Sequence, residues 1–138
     1  MALLYRSLIT LHLSLAFLTF FLALGLSVAA LRTRKQKSLH PGFWRWQMAT
    51  QMGVLLLAVS GASLYLLHFR PRDPLHILYG ALALLTIGLQ RGLMPGRSLR
   101  DVMESDYGRF HEVWVYFGLN VFLFLMLGRG ITTGLFGF

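Results

Sequence analysis

Three of the five histidines lie within or beside long apolar runs, where an imidazole could bind a metal. His12 lies inside the first run, His68 ends the second, and His76 begins the third. If consecutive runs form antiparallel helices, the three side chains lie near one end of the bundle. Ionisable groups are costly inside a membrane, and they usually face the protein interior and mark function. The spacing therefore predicts a cluster of imidazoles.

Two imidazoles that approach from opposite sides can hold a b-type haem. In a bundle of four helices the first and third are diagonal partners, so we expect His12 and His76 to be the axial ligands. His68 is the alternative ligand, or a group that fixes the ring orientation of another histidine. Arginines could pair with the haem propionates through bidentate hydrogen bonds. Those expected at the same end are Arg70, Arg72 and Arg129.

Small and aromatic residues accompany these histidines on the expected inward faces. Gly61 and Gly80 lack side chains where a porphyrin could lie against a backbone. Tyr65 precedes His68 by three residues, and Tyr79 follows His76 by three, which places each tyrosine on the face of its histidine. Both tyrosines are included in the candidate cofactor site. The alternative is that they belong to an aromatic belt at the membrane interface.

Other interpretations of the histidines stay open. His68 and His76 could be anchors at the water boundary, and His12 could hydrogen-bond to a neighbouring helix. Three imidazoles also suit copper or zinc. A second haem between His40 and His111 is not expected, because His40 precedes a Pro-Gly turn in a basic loop. Glu112 and the nearby Arg109 are interpreted as forming an ion pair at the membrane interface.

Composition restricts the class of protein to which these histidines belong. The chain has 138 residues, of which 56% are hydrophobic and 13% charged, whereas a soluble domain carries about 25% charged residues. Cysteine is absent, which excludes disulfides, thiolate metal sites and iron–sulfur clusters. No HExxH motif or Ser/His/Asp arrangement supports a hydrolytic enzyme. The sequence thus predicts a single integral membrane domain.

Apolar runs predict an all-α fold, a bundle of four transmembrane helices with up-down topology. A transmembrane helix needs about 20 apolar residues. The runs cover about residues 7–31, 46–69, 74–91 and 110–129. The first is interpreted as a retained helix, because its basic cluster follows the apolar core instead of preceding it. Residues 70–74 are expected to form a tight hairpin, and residues 91–109 a surface loop with an amphipathic turn over residues 99–103.

Basic residues set the expected orientation, since cytoplasmic loops are enriched in Lys and Arg. Nine lie in the two long loops: Arg32, Arg34, Lys35, Lys37, Arg45, Arg91, Arg97, Arg100 and Arg109. Four lie on the opposite side: Arg6, Arg70, Arg72 and Arg129. We therefore expect both termini outside, in a prokaryotic plasma membrane. The net charge of +8 is interpreted as membrane topology and attraction to anionic lipid, not as nucleic-acid binding.

Helical spacing predicts which face of each run packs inward. On the first run this face carries His12, Ala16, Thr19, Ala23, Ser27 and Ala30. On the second it carries Gln47, Gln51, Val54, Ala58, Gly61, Tyr65 and His68, and on the third His76, Tyr79, Gly80, Ala83, Ile87 and Gln90. On the fourth it carries His111, Trp114, Gly118, Phe122 and Leu125, with Asn120 elsewhere.

The chain resembles small four-helix b-type membrane cytochromes and, loosely, one half of a haem A synthase. The resemblance rests on His12, His68 and His76, on Asp73-Pro74-Leu75-His76-Ile77-Leu78-Tyr79-Gly80, and on Arg129-Gly130-Ile131-Thr132-Thr133-Gly134. It implies a haem b cofactor. Haem A synthases place a glutamate near the outer histidine, and this chain has none at that end. The departure favours electron transfer, or haem storage alone, over monooxygenase-type chemistry.

Two functions are therefore expected from the sequence. The first is a haem b protein that passes electrons near the outer face of the membrane, to or from quinone or a larger complex. The alternative is a cofactor-free accessory subunit of a respiratory or photosynthetic complex. Expected partners are the lipid bilayer, quinone, and other membrane subunits or further copies of the chain. A transporter is less favoured, because the midplane positions are apolar, with Asn120 as the main exception.

Overall fold

The computed structural model describes residues 2–107 and 110–136, and within these ranges all regular structure is helical. The elements are α1 (Ala2–Arg32), α2 (Pro41–Leu66), α3 (Leu75–Gly92), α4 (Ser98–Tyr107) and α5 (Glu112–Leu135). The predicted all-α class is therefore correct. Arg109, which the sequence paired with Glu112, lies outside the described residues.

The predicted count of four transmembrane helices is wrong. Three helices of the described chain are long and apolar enough to cross a membrane: α1, α2 and α5. These three helices indicate a multi-pass membrane protein. Helix α3 has only 18 residues and includes His76, Gln90 and Arg91, so it lacks the required combination of length and hydropathy. The prediction that both termini lie outside required four crossings, so three candidate spans do not support it.

The segment expected to be a surface loop contains a helix of its own. Helix α4 is ten residues long and extends well beyond the amphipathic turn expected over residues 99–103. Within it, Arg100 Nε lies 2.9 Å from Glu104 Oε1. Residues four apart lie on one face of a helix, and such pairs stabilise it locally. The mixed charges that suggested a loop are therefore the polar side of a short helix.

The four longer helices form a ring in the order α2, α1, α5, α3. Helix α1 packs closely on α2 and α5, and α5 packs closely on α3, whereas α2 and α3 touch far less. Helices α1 and α3 therefore lie diagonally across the ring, as predicted. We call the end that contains His12 and His76 the histidine end. The opposite end, where α1 ends at Arg32 and α5 begins at Glu112, is the basic end.

Small residues on α1 form the predicted packing stripe. Ala16, Thr19, Ala23, Ser27 and Ala30 are all buried, because small side chains let helix backbones approach closely in lipid. One such approach is between α1 and α2, where a Cβ at Gly53 would lie 2.7 Å from Thr19 Cγ2. The α1 face was therefore predicted correctly.

The face predicted for the last span is wrong. His111, Trp114, Gly118, Phe122 and Leu125 are all exposed on the surface of the bundle. The buried residues of α5 are instead Glu112, Val113, Tyr116, Asn120, Leu123, Leu127 and Thr133. Large apolar side chains gain little from leaving lipid, whereas buried polar groups gain hydrogen bonds inside the bundle. The α5 side chains are therefore arranged with Asn120 inward.

Candidate functional site

His12 is held on α1 by contacts to α2. Its Nδ1 lies 3.1 Å from the main-chain oxygen of Leu57 and 3.0 Å from Ser60 Oγ. The Ser60 hydroxyl itself donates to the Leu57 oxygen. Because a carbonyl only accepts, we assign the proton of the neutral ring to Nδ1. The Nε2 lone pair is then available to a metal.

His76 repeats this arrangement between α3 and α5. Its Nδ1 lies 2.9 Å from the main-chain oxygen of Gly130, and Thr133 Oγ1 lies 3.5 Å away. The same reasoning places the proton on Nδ1 and leaves Nε2 as the free nitrogen. A ring nitrogen bonded to a backbone carbonyl is the usual outer-shell arrangement of a metal-binding histidine. Both rings have this form.

Each imidazole lies against a glycine of the helix to which it bonds. A Cβ at Gly61 would stand 2.9 Å from His12 Cε1, and a Cβ at Gly134 would stand 3.0 Å from His76 Cε1. Gly61 was expected to make room for a porphyrin, but the group that occupies its open side is the His12 ring. Gly80 has no heavy atom within 4 Å of a Cβ position. The space at this position is therefore open.

The two rings face each other across the bundle, with centroids 6.1 Å apart and planes inclined by 56°. A metal–nitrogen bond of about 2 Å on each side, extended to the centre of each imidazole, gives roughly 6 Å between ring centres. The observed separation therefore matches two imidazoles that share one metal ion. The inclination between the planes is compatible with this, since each ring can rotate about its metal–nitrogen bond.

His68 takes no part in this pair. It is exposed, and its φ of 66° places it in the left-handed region that non-glycine residues rarely adopt. The following amide, of Phe69, donates to the main-chain oxygen of Leu64, which is a helix-ending arrangement. His68 therefore lies in the turn that ends α2. The structure brings together only two of the three predicted imidazoles.

The predicted arginines and tyrosines pair with one another around the site. The guanidinium carbon of Arg70 lies 3.9 Å from the centroid of Tyr65, and that of Arg129 lies 5.6 Å from the centroid of Tyr79. Both are cation–π contacts. Arg72 is exposed in the hairpin. These arginines lie at the histidine end, and their cation–π contacts are with tyrosines and not with either imidazole.

A bare metal site with three ligands does not form in the described part of the chain. Among residues 2–107 and 110–136, no group of three or more His, Asp or Glu side chains could hold a metal ion. The three-imidazole copper or zinc site considered from the sequence therefore lacks its third ligand. His40 lies at the start of α2, where its Nδ1 accepts a hydrogen bond from the Gly42 amide. His111 precedes α5 and is exposed.

A buried ring of three amides near the basic end was missed by sequence reasoning. Gln47 Nε2 donates to Gln90 Oε1 at 2.8 Å, Gln90 Nε2 to Asn120 Oδ1 at 3.2 Å, and Asn120 Nδ2 to Gln47 Oε1 at 2.9 Å. All three residues are fully buried. Nearby on α2, Gln51 is buried with its Nε2 unpartnered. Amides within apolar runs were the available signal, but only the geometry shows that they meet.

An ion-pair cluster joins the loop after α1 to α4 and α5. Glu112 is buried, accepts a hydrogen bond from the Leu39 amide at 2.7 Å, and lies 2.6 Å from an Arg100 nitrogen. Burial lowers the pKa of Arg100, but hydrogen bonds and charge from Glu104 and Glu112 outweigh it, so the pKa lies above its usual value. Glu112 is therefore paired with Arg100 in the described structure.

Comparison with protein-family models, with curated proteins and with solved structures gives no match. The chemistry of the histidine end is therefore argued from its own geometry. The two imidazoles lie across a diagonal of the bundle at a centroid separation that fits a shared metal ion. The Leu57 and Gly130 carbonyls fix both rings in that orientation.

Proposed function

We propose that the chain is a membrane haem b protein with His12 and His76 as axial ligands, and that it transfers electrons near the outer face of a prokaryotic plasma membrane. The observation that carries the proposal is the 6.1 Å separation of the two imidazole centroids. Haem b, when bound, would supply one-electron redox chemistry. The protein's own residues would orient the ligands and set the polarity around them.

The ring arrangement of helices favours a flat group between these histidines. Helices α1 and α3 are diagonal partners, so ligands from them approach from opposite sides. Helices α2 and α3 pack less closely than the other neighbouring pairs, and the open side of Gly80 lies on α3. A planar macrocycle could enter between α2 and α3 with a smaller loss of helix packing than between α1 and α5.

Hydrogen bonds to the main chain would tune both ligands. The carbonyl oxygens of Leu57 and Gly130 accept from the Nδ1 atoms, which makes each Nε2 a stronger donor to a metal. Because a main-chain oxygen is fixed by its helix, the orientation of each ring is set before any cofactor binds. Such preorganisation lowers the conformational entropy lost on binding.

Cations at the histidine end suit the carboxylates of a haem. Arg70 and Arg129 would exchange or extend their contacts with Tyr65 and Tyr79 to bind propionates. Arg72 lies in the same hairpin as Arg70 and is exposed. Asp73 is the nearest acid in the hairpin, and its Oδ1 already accepts from the Leu75 amide. The positive excess favours an anionic group.

Sidedness follows from the distribution of basic residues. Eight described Lys and Arg residues lie toward the basic end: Arg32, Arg34, Lys35, Lys37, Arg45, Arg91, Arg97 and Arg100. Cytoplasmic segments are enriched in such residues, so the histidine end would face outward. Electrons would then pass to or from quinone, or to other membrane subunits or copies of this chain.

The proposal is tested by the visible spectrum of detergent-purified protein, oxidised and dithionite-reduced, after expression with ample haem. We expect a Soret band in the wild type that is lost in His12→Ala and in His76→Ala. His40→Ala is the matched control and should keep it, since His40 lies at the basic end. A colourless wild-type protein, or equal loss in the control, would contradict the proposal.

A cofactor-free accessory subunit is the second candidate, and one observation favours it. Each of the two half-buried imidazoles joins its helix to a neighbour through a main-chain carbonyl, a structural role that needs no cofactor. In that case His12→Ala and His76→Ala would lower thermal stability in haem-free protein as much as in haem-supplemented protein. The chain would also co-purify with a stoichiometric membrane partner.

A further inference from the structure

A groove opens between the end of α1 and the beginning of α2, at the basic end. Its volume is about 350 Å³. Its floor is formed by the buried side chains of Leu26, Leu39 and Phe43. Gly25 lines it as well, with no heavy atom within 4 Å of a Cβ position. The groove therefore offers an apolar slot that a missing side chain helps to keep open.

The rim of the groove faces outward from the bundle. Phe21 is 60% exposed and Trp46 is 61% exposed, and both line the opening. Because α1 and α2 are both candidate membrane spans, an occupant could enter from the surrounding lipid. Tryptophan is enriched at the level of lipid headgroups, which suits the position of Trp46 near the start of α2.

One end of the groove is polar. His40 lines it and is exposed, and its Nδ1 accepts a hydrogen bond from the Gly42 amide at 3.1 Å. In the neutral ring the proton then lies on Nε2, which can donate to an acceptor. Thr33 also lines this end. The groove thus combines an apolar floor with a hydrogen-bond donor at its mouth.

A cluster of positive charge lies close to the groove in sequence, at the end of α1 and just after it. A more open hollow of about 530 Å³ is lined by Val28, Leu31, Arg32, Arg34 and Lys35. Its three basic side chains are exposed. Among the described residues only Arg100 forms ion pairs with acidic side chains, so Arg32, Arg34 and Lys35 have no carboxylate partner there. Their charge is uncompensated.

We propose that this groove binds one anionic phospholipid. An acyl chain would lie on the floor over Leu26 and Phe43, and the headgroup phosphate would lie among His40, Arg34 and Lys35. Charge complementarity identifies the occupant, because the apolar slot and the cation cluster adjoin on one stretch of chain. The site lies at the opposite end from His12 and His76, so it does not depend on haem binding.

Native mass spectrometry of the full chain in a neutral detergent tests the site. The probes are phosphatidylglycerol and phosphatidylcholine with identical acyl chains, added at equal concentration. We expect one bound phosphatidylglycerol per chain, preferred over phosphatidylcholine by roughly 25-fold, since Arg34 and Lys35 near the headgroup each contribute about fivefold. Equal binding of the two lipids, or a dimer without bound lipid, would overturn the proposal.

Two pairs of variants separate a local site from general attraction. Gly25→Leu fills the slot and should abolish binding, whereas Gly88→Leu on α3, which also has open space at its Cβ, should not. Arg34→Ala/Lys35→Ala should lower binding by roughly 25-fold, and Arg91→Ala/Arg97→Ala, with the same change in net charge, by much less. Equal effects within either pair would overturn the proposal. The charge pair keeps the test decisive if Gly25→Leu does not fold.

Discussion

His12 and His76 face each other with ring centroids 6.1 Å apart, although they lie on helices that are diagonal and not adjacent in the ring. His12 is oriented by the main-chain carbonyl of Leu57 on α2, and His76 by that of Gly130 on α5. The position of this pair of side chains therefore depends on all four long helices. Changes on α2 and α5 should consequently alter a site whose ligands lie on α1 and α3.

Gly61→Ala should weaken haem binding although Gly61 is not a ligand. The added methyl would stand 2.9 Å from His12 Cε1, so the ring must shift from its present position. We expect haem occupancy to fall by at least about fivefold, because moving the His12 ring costs about 1 kcal/mol of binding free energy. Soret absorbance per mole of protein measures it.

Gly118→Ala is the matched control for that change. Gly118 is exposed on α5 and has no heavy atom within 4 Å of a Cβ position. The haem occupancy of the Gly118→Ala variant should equal that of the wild type. If Gly61→Ala binds as much haem as Gly118→Ala, the close packing of His12 against α2 has no part in cofactor binding.

The amide ring should make Gln90 important for stability. Gln90→Leu would leave partners on Gln47 and Asn120 without hydrogen bonds, which costs about 1–3 kcal/mol. Gln51→Leu removes an amide whose Nε2 has no partner, so stability should stay the same or rise. Thermal unfolding in detergent compares the two variants, and a larger loss for Gln51→Leu would contradict the closed ring.

Arg100→Met should destabilise the basic end strongly. Glu112 would remain buried without its guanidinium partner at 2.6 Å, and breaking a buried pair costs about 3–5 kcal/mol. Glu104→Gln is the control, because its contact with Arg100 is half-exposed and worth under about 1 kcal/mol. Similar melting temperatures for both variants would show that the Arg100–Glu112 pair is not needed.

The charge of Arg100 should not limit the pH range of this cluster. Its pKa lies above the usual value, so its contribution is fully present below that value and is lost only when the pH rises through it. Between neutral and mildly alkaline pH we expect no change in the melting temperature difference between wild type and Arg100→Met. A difference that vanishes over this range would contradict the direction of the shift.

The helical class and the buried face of α1 were predictable from the sequence, because small residues at helical spacing in lipid indicate a face where helices pack closely. Ala23 and Ala30 are fully buried, as that reasoning requires. It failed on α5, where Trp114 and Phe122 were assigned inward and are exposed. Hydrophobic size carries no information about burial when the surroundings are also apolar.

The diagonal relation of His12 and His76 was predictable from helix order, whereas the position of His68 was not. Its left-handed backbone depends on how α2 ends before the hairpin, which residue type alone does not indicate. The span count failed at α3, because 18 residues with a polar residue near each end lie at the limit of what can cross a membrane. The amide ring required three separate helices to be placed before it could be recognised.

The most direct test of the central proposal is the electron paramagnetic resonance spectrum of the oxidised, haem-loaded protein, because the spin state of ferric haem depends on whether two strong-field ligands such as imidazole bind the iron. We expect a low-spin signal typical of two axial imidazoles, which changes to a high-spin signal in His76→Gly and is restored by added imidazole. A high-spin signal in the wild type, or a low-spin signal unchanged in both His12→Gly and His76→Gly, would contradict a shared iron between these two side chains.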